Sequence, residues 1–544
     1  MNELSASTRV TSRMSESPLF LGLDSSTQGL KAAAVDESCR VVAEFGVNFD
    51  ADLPEYRTRG GVQRGPDGLT VTSPPVMWAA ALDVLFDRMQ ASGFVFDRVA
   101  AVSGAGQQHG SVYWRRDARA LLQGMSAEKR LRETLRDAFA VAASPVWMDS
   151  STTAQCRARE AALGGPQAVA DVTGSRAFER FTGNQIAKLA GQNPSAYAAT
   201  ERIALVSSFM ASLLIGDYAP IDVSDGSGMN LLDIRARRWD PRALDVTAPG
   251  LAGRLGEPVA SHTVVGNLHT RYAVRYGFPK NCVVVAFSGD NPCSLAGMRL
   301  KQPGDLAVSM GTSDTLFGAL SEPHPSAKEG HIFVNPVEPA GFMAMICFKN
   351  GSLTREAVRQ SVGAQDWKAF GALVGRTPPG NGGRLGFYMR EPEITPPLFK
   401  TGIWRFAADA RPQSAFTPEI EARALLEGQF LSMRLHGGRV GLMPSGILAT
   451  GGASADPAVL RVLSDVLGAP VFTGNQVNSA ALGAAYRALH GWRSRKARRC
   501  LPFADVVASA PSFTRVVEPD PAAHALYTAL LPHYAALEAK LAAG

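Results

Sequence analysis

One figure is written twice along this chain: an apolar strand opens onto a hydroxyl-rich turn and returns as a second strand. The first copy is Leu19-Phe-Leu-Gly-Leu-Asp24, the turn Ser25-Ser-Thr-Gln-Gly29, and Leu30 to Val35, with a third strand expected over Arg40 to Phe45. The second is Asp305-Leu-Ala-Val-Ser-Met310, the turn Gly311-Thr-Ser-Asp314, and Thr315 to Leu320. A further pair matches in the same order. Arg98 to Ser103 runs into Gly104-Ala-Gly106, and Ile447 to Thr450 runs into Gly451-Gly452. Each follows an expected amphipathic helix. In the first, Trp78, Leu82, Leu85, Phe86 and Met89 share a face after Ser73-Pro74-Pro75; in the second, Leu425, Phe430 and Met433 do so within residues 420–435. Two halves with the same order of parts predict two related α/β domains, with ligands held at the carboxyl ends of strands in the cleft between them.

The 544 residues suffice for two such large units. The expected division is an extension over residues 1–17, a first domain over 18–292, and a second over 293–544 ending in a helical tail. Asn291-Pro292 and Pro303-Gly304 punctuate the boundary. The 55 basic and 49 acidic residues leave a net charge of only +6, which excludes a dedicated nucleic-acid binder as the expectation. The one local excess, Arg493, Arg495, Lys496, Arg498 and Arg499, reads as a solvated helix face. Six scattered cysteines contain no CxxC pair, so neither a zinc cage nor a redox dithiol is expected, and a reducing cytoplasm is. No apolar run approaches the roughly 20 residues of a membrane span, and the first 18 residues lack the apolar core of a secretory signal. The expected partners are a small-molecule substrate and a nucleotide, with no membrane or nucleic acid, in a monomer or homodimer.

Familiar catalytic motifs are missing: there is no GxxxxGK[ST] loop, no HExxH and no GxSxG elbow. What remains lies at the turns. Asp24 closes a strand and is followed by three hydroxyls; a carboxylate repels phosphate but can hold it through Mg²⁺, while Ser25, Ser26 and Thr27 offer hydroxyls and backbone N–H groups. Gly311-Thr312-Ser313 could do the same from the other half. Each turn alone also reads as an ordinary hairpin; their recurrence favours a phosphate clamp. Gly451 and Gly452 lack side chains that would keep a nucleotide at a distance. Asp290, after the apolar run Cys282 to Phe287, could take a proton from an attacking hydroxyl, and equally Asp290 or Asn291 could cap a helix with Pro292 in its first turn. Gln107, Gln108 and His109 carry groups that both donate and accept, as sugar hydroxyls require. Arg180 reads alone as a surface charge, and Trp367 as an aromatic able to stack on a planar base.

Taken in order, these segments resemble the sugar kinases of the FGGY family, within the actin/hexokinase-like ATPase fold. The residues that carry the resemblance are Asp24-Ser-Ser-Thr-Gln-Gly-Leu-Lys31, Gly106-Gln-Gln-His-Gly110, Pro145-Val-Trp-Met-Asp-Ser-Ser-Thr152, Gly174 to Gln185 and Asp222 to Asn230. They continue with Gly289-Asp-Asn-Pro292, Gly311-Thr-Ser-Asp-Thr315, Phe348-Lys-Asn-Gly-Ser352 and Ala449-Thr-Gly-Gly-Ala-Ser454. The match covers about residues 19–490, and Gln108 in place of a methionine points to the animal-type branch of the xylulose-phosphorylating members. The resemblance implies two ribonuclease H-like domains around a cleft, ATP and Mg²⁺, and phosphorylation of the terminal hydroxyl of D-xylulose. It implies Asp290 as general base, with His109, Arg180, Asp290 and Asn291 on the sugar and Gln108 nearby. It assigns Asp24 to the metal, and Thr27, Thr312, Gly451, Gly452, Trp367 and the neighbourhood of Asp456 to the nucleotide. A kinase for another ketose or polyol, such as ribulose, would share the ATP residues; a non-catalytic actin-like ATP-binding protein would lack the sugar groups.

Overall fold

A computed structural model describes residues 17–474 and 478–543. The expected N-terminal extension therefore lies, up to residue 16, outside the described residues.

The first sheet holds β1 (Leu19–Ser25), β2 (Gly29–Val35), β3 (Val41–Asn48), β4 (Val99–Gly106), β5 (Val264–Asn267), β6 (Val283–Val285) and β7 (Ser288–Gly289). Its order is β5-β6-β4-β1-β2-β3, with β7 also on β4. β1 to β3 form an antiparallel meander, while β4 lies parallel to β1 and β6 parallel to β4. All seven residues of β1 are buried, as a strand covered on both faces requires. The helices that position the first half of the site are α1 (Pro75–Ala91), α2 (Val206–Ile215) and α3 (Asp290–Gly297), which continues directly from β7.

The second sheet repeats the plan with β8 (Asp305–Met310), β9 (Asp314–Leu320), β10 (His331–Val334), β11 (Phe342–Phe348), β12 (Gly446–Thr450), β13 (Val471–Thr473) and β14 (Thr514–Val517). Its order is β10-β11-β9-β8-β12-β13-β14. β8, β9 and β11 form the antiparallel meander, β12 joins β8 in parallel, and β13 joins β12 in parallel. The duplication read from the hairpins is thus a duplication of topology. Around this sheet lie α4 (Ser352–Ser361), α5 (Trp367–Val374), α6 (Pro418–Arg439), α7 (Pro457–Leu467) and α8 (Ser479–Ala497).

Two expectations need correction. The helices expected to be one-faced, α1 and α6, are buried round most of their circumference, because each is sandwiched between a sheet and further chain. The basic run is only partly a solvated helix face. Arg493 donates to the Val506 and Glu37 carbonyls, Lys496 sits 3.4 Å from the Trp492 ring centroid, and α8 ends before Arg498 and Arg499.

Among the contacts between the two halves, two are built from backbone. Although α8 follows the second sheet in sequence, it packs on β1 of the first sheet and crosses α3. Glycine makes that approach possible. A side chain on Gly483 would begin 1.7 Å from the Cys293 carbonyl oxygen, and one on Gly22 would begin 2.0 Å from that of Ala481. The second attachment is β10, which meets residues 174–227 of the first half. The Ile332 N–H donates to the Gly174 oxygen (2.9 Å), and the Ser224 hydroxyl donates to the Val334 oxygen (2.7 Å).

Candidate active site

Strand register assembles the first wall. Asp24 lies opposite Ala105 and Ser25 opposite Gly106, while Ser288 and Gly289 lie opposite the same two residues from the other side. The carboxyl ends of β1, β4 and β7 therefore deliver Asp24, Gln107-Gln108-His109 and Asp290-Asn291 side by side. Close packing below them depends on glycine: a side chain on Gly106 would start 2.4 Å from the Ser207 nitrogen at the head of α2.

Asp290 is the first residue of α3, with Gly289 at the N-cap position, so neither Asp290 nor Asn291 is the cap. Burial raises the Asp290 carboxyl to about 6, opposed by backbone N–H groups of Asn291, Gln108 and Asp290 itself. One of its oxygens accepts from the Asn291 backbone N–H (2.9 Å) and from the Asn291 amide (3.2 Å). The same amide nitrogen also donates to the Gln108 side-chain oxygen (2.9 Å). A carboxylate poised near 6 is ionised at neutral pH yet remains basic enough to receive a proton.

Asp24 is buried, and its carboxyl is raised to about 7 by burial first and by Asp290 second, against the opposing pull of Lys31. Its Oδ1 has no hydrogen-bond partner in the protein. A buried, bare carboxylate oxygen fits a divalent cation, which would satisfy it while substrate phosphates completed the shell. Beside it, the Thr27 hydroxyl accepts from the Trp147 indole N–H (2.8 Å). This tie fixes the turn, and sequence reasoning did not find it because 120 residues separate the two.

His109 has a left-handed backbone (φ 69°), a conformation that costs an ordinary residue about 1–3 kcal/mol and tends to persist at functional sites. Its Nδ1 donates to the Gly228 carbonyl (2.8 Å), which leaves Nε2 as an acceptor. Burial, with Arg180 nearby, holds the ring neutral, well below the usual histidine range. Arg180 is not a free surface charge. Burial lowers its pKa, against a small opposing pull from Cys347 of β11, and its guanidinium stands 5.5 Å over the Phe178 ring.

The second wall mirrors the first. Ser309 pairs with Thr450, so the Gly311-Thr312 turn and Gly451 emerge together at the ends of β8 and β12. Gly451 has a φ of 83°, and a side chain there would begin 2.4 Å from the Met310 oxygen. Thr312 is exposed on its turn. A cleft of about 540 Å³ joins the walls, lined from one side by Asn291 and Ser294 and from the other by Thr315, Thr450, Gly451 and Ser454. Beyond it lies a second cavity of about 590 Å³, lined by Trp367, Gly452, Ala453, Asp456 and Arg355 among others. Trp367 is 39% exposed, leaving a ring face free for stacking. The Asp456 carboxylate accepts from the Ala458 and Val459 N–H groups as the N-cap of α7, so it lines the cavity with its acceptor capacity partly committed. Arg355, which sequence reasoning passed over, is held by a fully buried two-bond pair with Asp314 (2.6 and 2.7 Å). Of the residues singled out, Asn291 and Gly451 line the cleft, and Trp367, Gly452 and Asp456 line the cavity beyond.

Known proteins match this arrangement. The model of the N-terminal domain of the FGGY family of carbohydrate kinases matches residues 140–297, and that of the C-terminal domain matches residues 306–492. A xylulose kinase of Mus musculus is 53% identical over 524 residues, covering 96% of this chain and 94% of the relative. Xylulose kinase 2 of Arabidopsis thaliana is 46% identical over 502 residues, 90% of each chain. The solved xylulose kinase of Rhodospirillum rubrum superimposes with a TM-score of 0.78 at 18% identity, covering 96% of this chain and 98% of that one. A Plasmodium falciparum glycerol kinase with ADP does so at 0.72 and 14%, covering 96% and 98%. The last two share the two-domain fold; the first two share the sequence. The chain belongs to the FGGY family of carbohydrate kinases.

Proposed function

We propose that the protein transfers the γ-phosphoryl group of ATP to the terminal hydroxyl of D-xylulose, giving D-xylulose 5-phosphate and ADP. The observation that carries this reading is the single cleft with Asn291, and Asp290 beside it, on one wall and Gly451 on the other. Asp290 takes the proton of the attacking hydroxyl as its oxygen bonds to phosphorus, and the bond from phosphorus to the β,γ-bridging oxygen breaks. His109 Nε2, Arg180, Asn291 and Gln108 hold the sugar. Thr27 and Thr312 face the phosphates, Gly451 and Gly452 admit the nucleotide backbone, and Trp367 and the Asp456 turn border the base. Asp24 is the residue that would hold Mg²⁺, whose chemistry when bound is to neutralise charge on the phosphates. Closure of the cleft on both substrates would expel water and protect ATP from hydrolysis.

In this reading residues 18–292 supply the sugar side and residues 293–544 the nucleotide side. Among the described residues no helix is long and apolar enough to cross a membrane. A cytoplasmic location, as monomer or homodimer, fits six free thiols. The deciding experiment is ADP release measured over D-xylulose, D-ribulose, L-ribulose, glycerol and gluconate. The highest kcat/KM belongs to D-xylulose; a higher value for another acceptor transfers the assignment to that sugar, and equal turnover without any sugar abandons it.

A further inference from the structure

Behind Asp290 stands a carboxyl that no role above uses. Asp225 lies on the single helical turn Val223–Gly226, capped by Asp222, whose Oδ1 accepts the Asp225 N–H (2.9 Å). Asp225 is 1% exposed. Its Oδ2 meets the Ser207 hydroxyl at 2.5 Å, at the head of α2, while its Oδ1 has no partner. The Gln108 amide nitrogen is likewise buried and bare. These two orphans, one donor and one acceptor, crowd the same point. A side chain on Gly289, the residue before Asp290, would begin 2.8 Å from Asp225 Oδ1 and 2.9 Å from the Gln108 amide carbon.

The orientation of Gln108 is therefore fixed by chemistry. Its oxygen must face the Asn291 amide nitrogen, which can only donate, so its nitrogen must face Asp225. We propose that Asp225 is a positioning residue for phosphoryl transfer: it holds the Gln108 amide in the one orientation that orders Asn291, and Asn291 orders the Asp290 carboxylate. The inference rests on Asp290 being the base. Burial first, then Asp222, with a smaller push from Asp290, raise the Asp225 carboxyl well above the usual carboxylate range, which favours its neutral form. The Ser207 hydroxyl donates to Oδ2, and the Gln108 amide lies beside Oδ1. Asparagine can keep an oxygen toward Gln108 and turn its nitrogen to the Ser207 hydroxyl, which can also accept; leucine can do neither. The charged groups around it are Asp222, which faces Arg487 at 3.7 Å, and Asp290.

The test compares Asp225→Asn, Asp225→Leu and Ser207→Ala, with Asp290→Asn as the reference for the base. Asp225→Asn keeps kcat within about threefold of the parent and leaves the acid limb of the kcat/KM profile in place, because asparagine keeps both contacts. Asp225→Leu lowers kcat at least about tenfold, the effect of a misplaced catalytic group. Ser207→Ala, a smaller change, lowers kcat severalfold and serves if the leucine variant fails to fold. Parent-like kcat in either Asp225→Leu or Ser207→Ala overturns the proposal, as does an Asp225→Asn variant as impaired as the leucine one or with a displaced acid limb. If Asp290→Asn is itself active, the base assignment fails instead, and with it the premise.

Discussion

Replacing Asp290 with asparagine will stabilise the fold while abolishing most of the activity. The carboxyl rises from 3.8 to about 6, chiefly through burial. A difference of about two pH units between folded and unfolded forms corresponds to about 3 kcal/mol. The folded protein holds this proton more tightly than the unfolded chain does. The penalty for ionising Asp290 is thus absent below pH 3.8, grows between 3.8 and about 6, and is complete above. Asparagine carries no such penalty. At pH 7.5 the variant gains up to about 3 kcal/mol, and at pH 5 about half of that. At about 2 °C per kcal/mol for lobes of this size, the melting temperature at pH 7.5 rises by about 4–6 °C. Loss of the base lowers kcat by about two orders of magnitude or more. Thermal melts at pH 7.5 and 5, with ADP release at saturating sugar, measure both effects. A variant that melts no higher than the parent, or whose advantage does not shrink toward pH 5, refutes the argument that burial strains this carboxylate. Turnover within tenfold of the parent refutes its role as base.

Three other outcomes are expected from the same geometry. In the parent enzyme kcat/KM falls as pH drops through about 6, where Asp290 takes up its proton; a profile flat from pH 7.5 to 5 contradicts this. Gly451→Ala places a methyl 2.4 Å from the Met310 oxygen at a left-handed position, and raises the KM for ATP by about tenfold with the sugar KM held, measured by initial rates. Asp314→Ala strands the buried Arg355 charge and lowers unfolding free energy by about 3–5 kcal/mol in urea, whereas the apolar double replacement of Asp314 and Arg355 recovers most of it.

Much of the architecture was legible because it is local. The two hairpins, the two strand–glycine turns and the helix after Ser73-Pro74-Pro75 are each set by neighbours in sequence, and each appears as β1–β2, β8–β9, β4, β12 and α1. Asp24, Asp290, Thr312 and Gly451 stand at or just past strand ends, which is why local sequence singles them out as candidates, whereas Trp367 opens a helix and Arg180 lies between two helices. What escaped was contact across distance. Trp147 on Thr27, Asp314 on Arg355, and Asp225 against Gln108 join segments with no shared period or spacing. Arg180 looked like surface because its burial comes from the folded surroundings, and the short polar stretch around it gives no sign of them. The one-faced reading of α1 and α6 failed because a helix roofed by later chain buries its polar-looking side as well.

The α8–α3 crossing has a mechanical corollary. Backbone lies directly on backbone there, with Gly483 against Cys293 and Gly297, so neither helix can shift by a methyl's width without the other. Asp290 is the first residue of α3. The far end of the chain therefore clamps that carboxyl in its place, and a change as small as Gly483→Ala would be felt there.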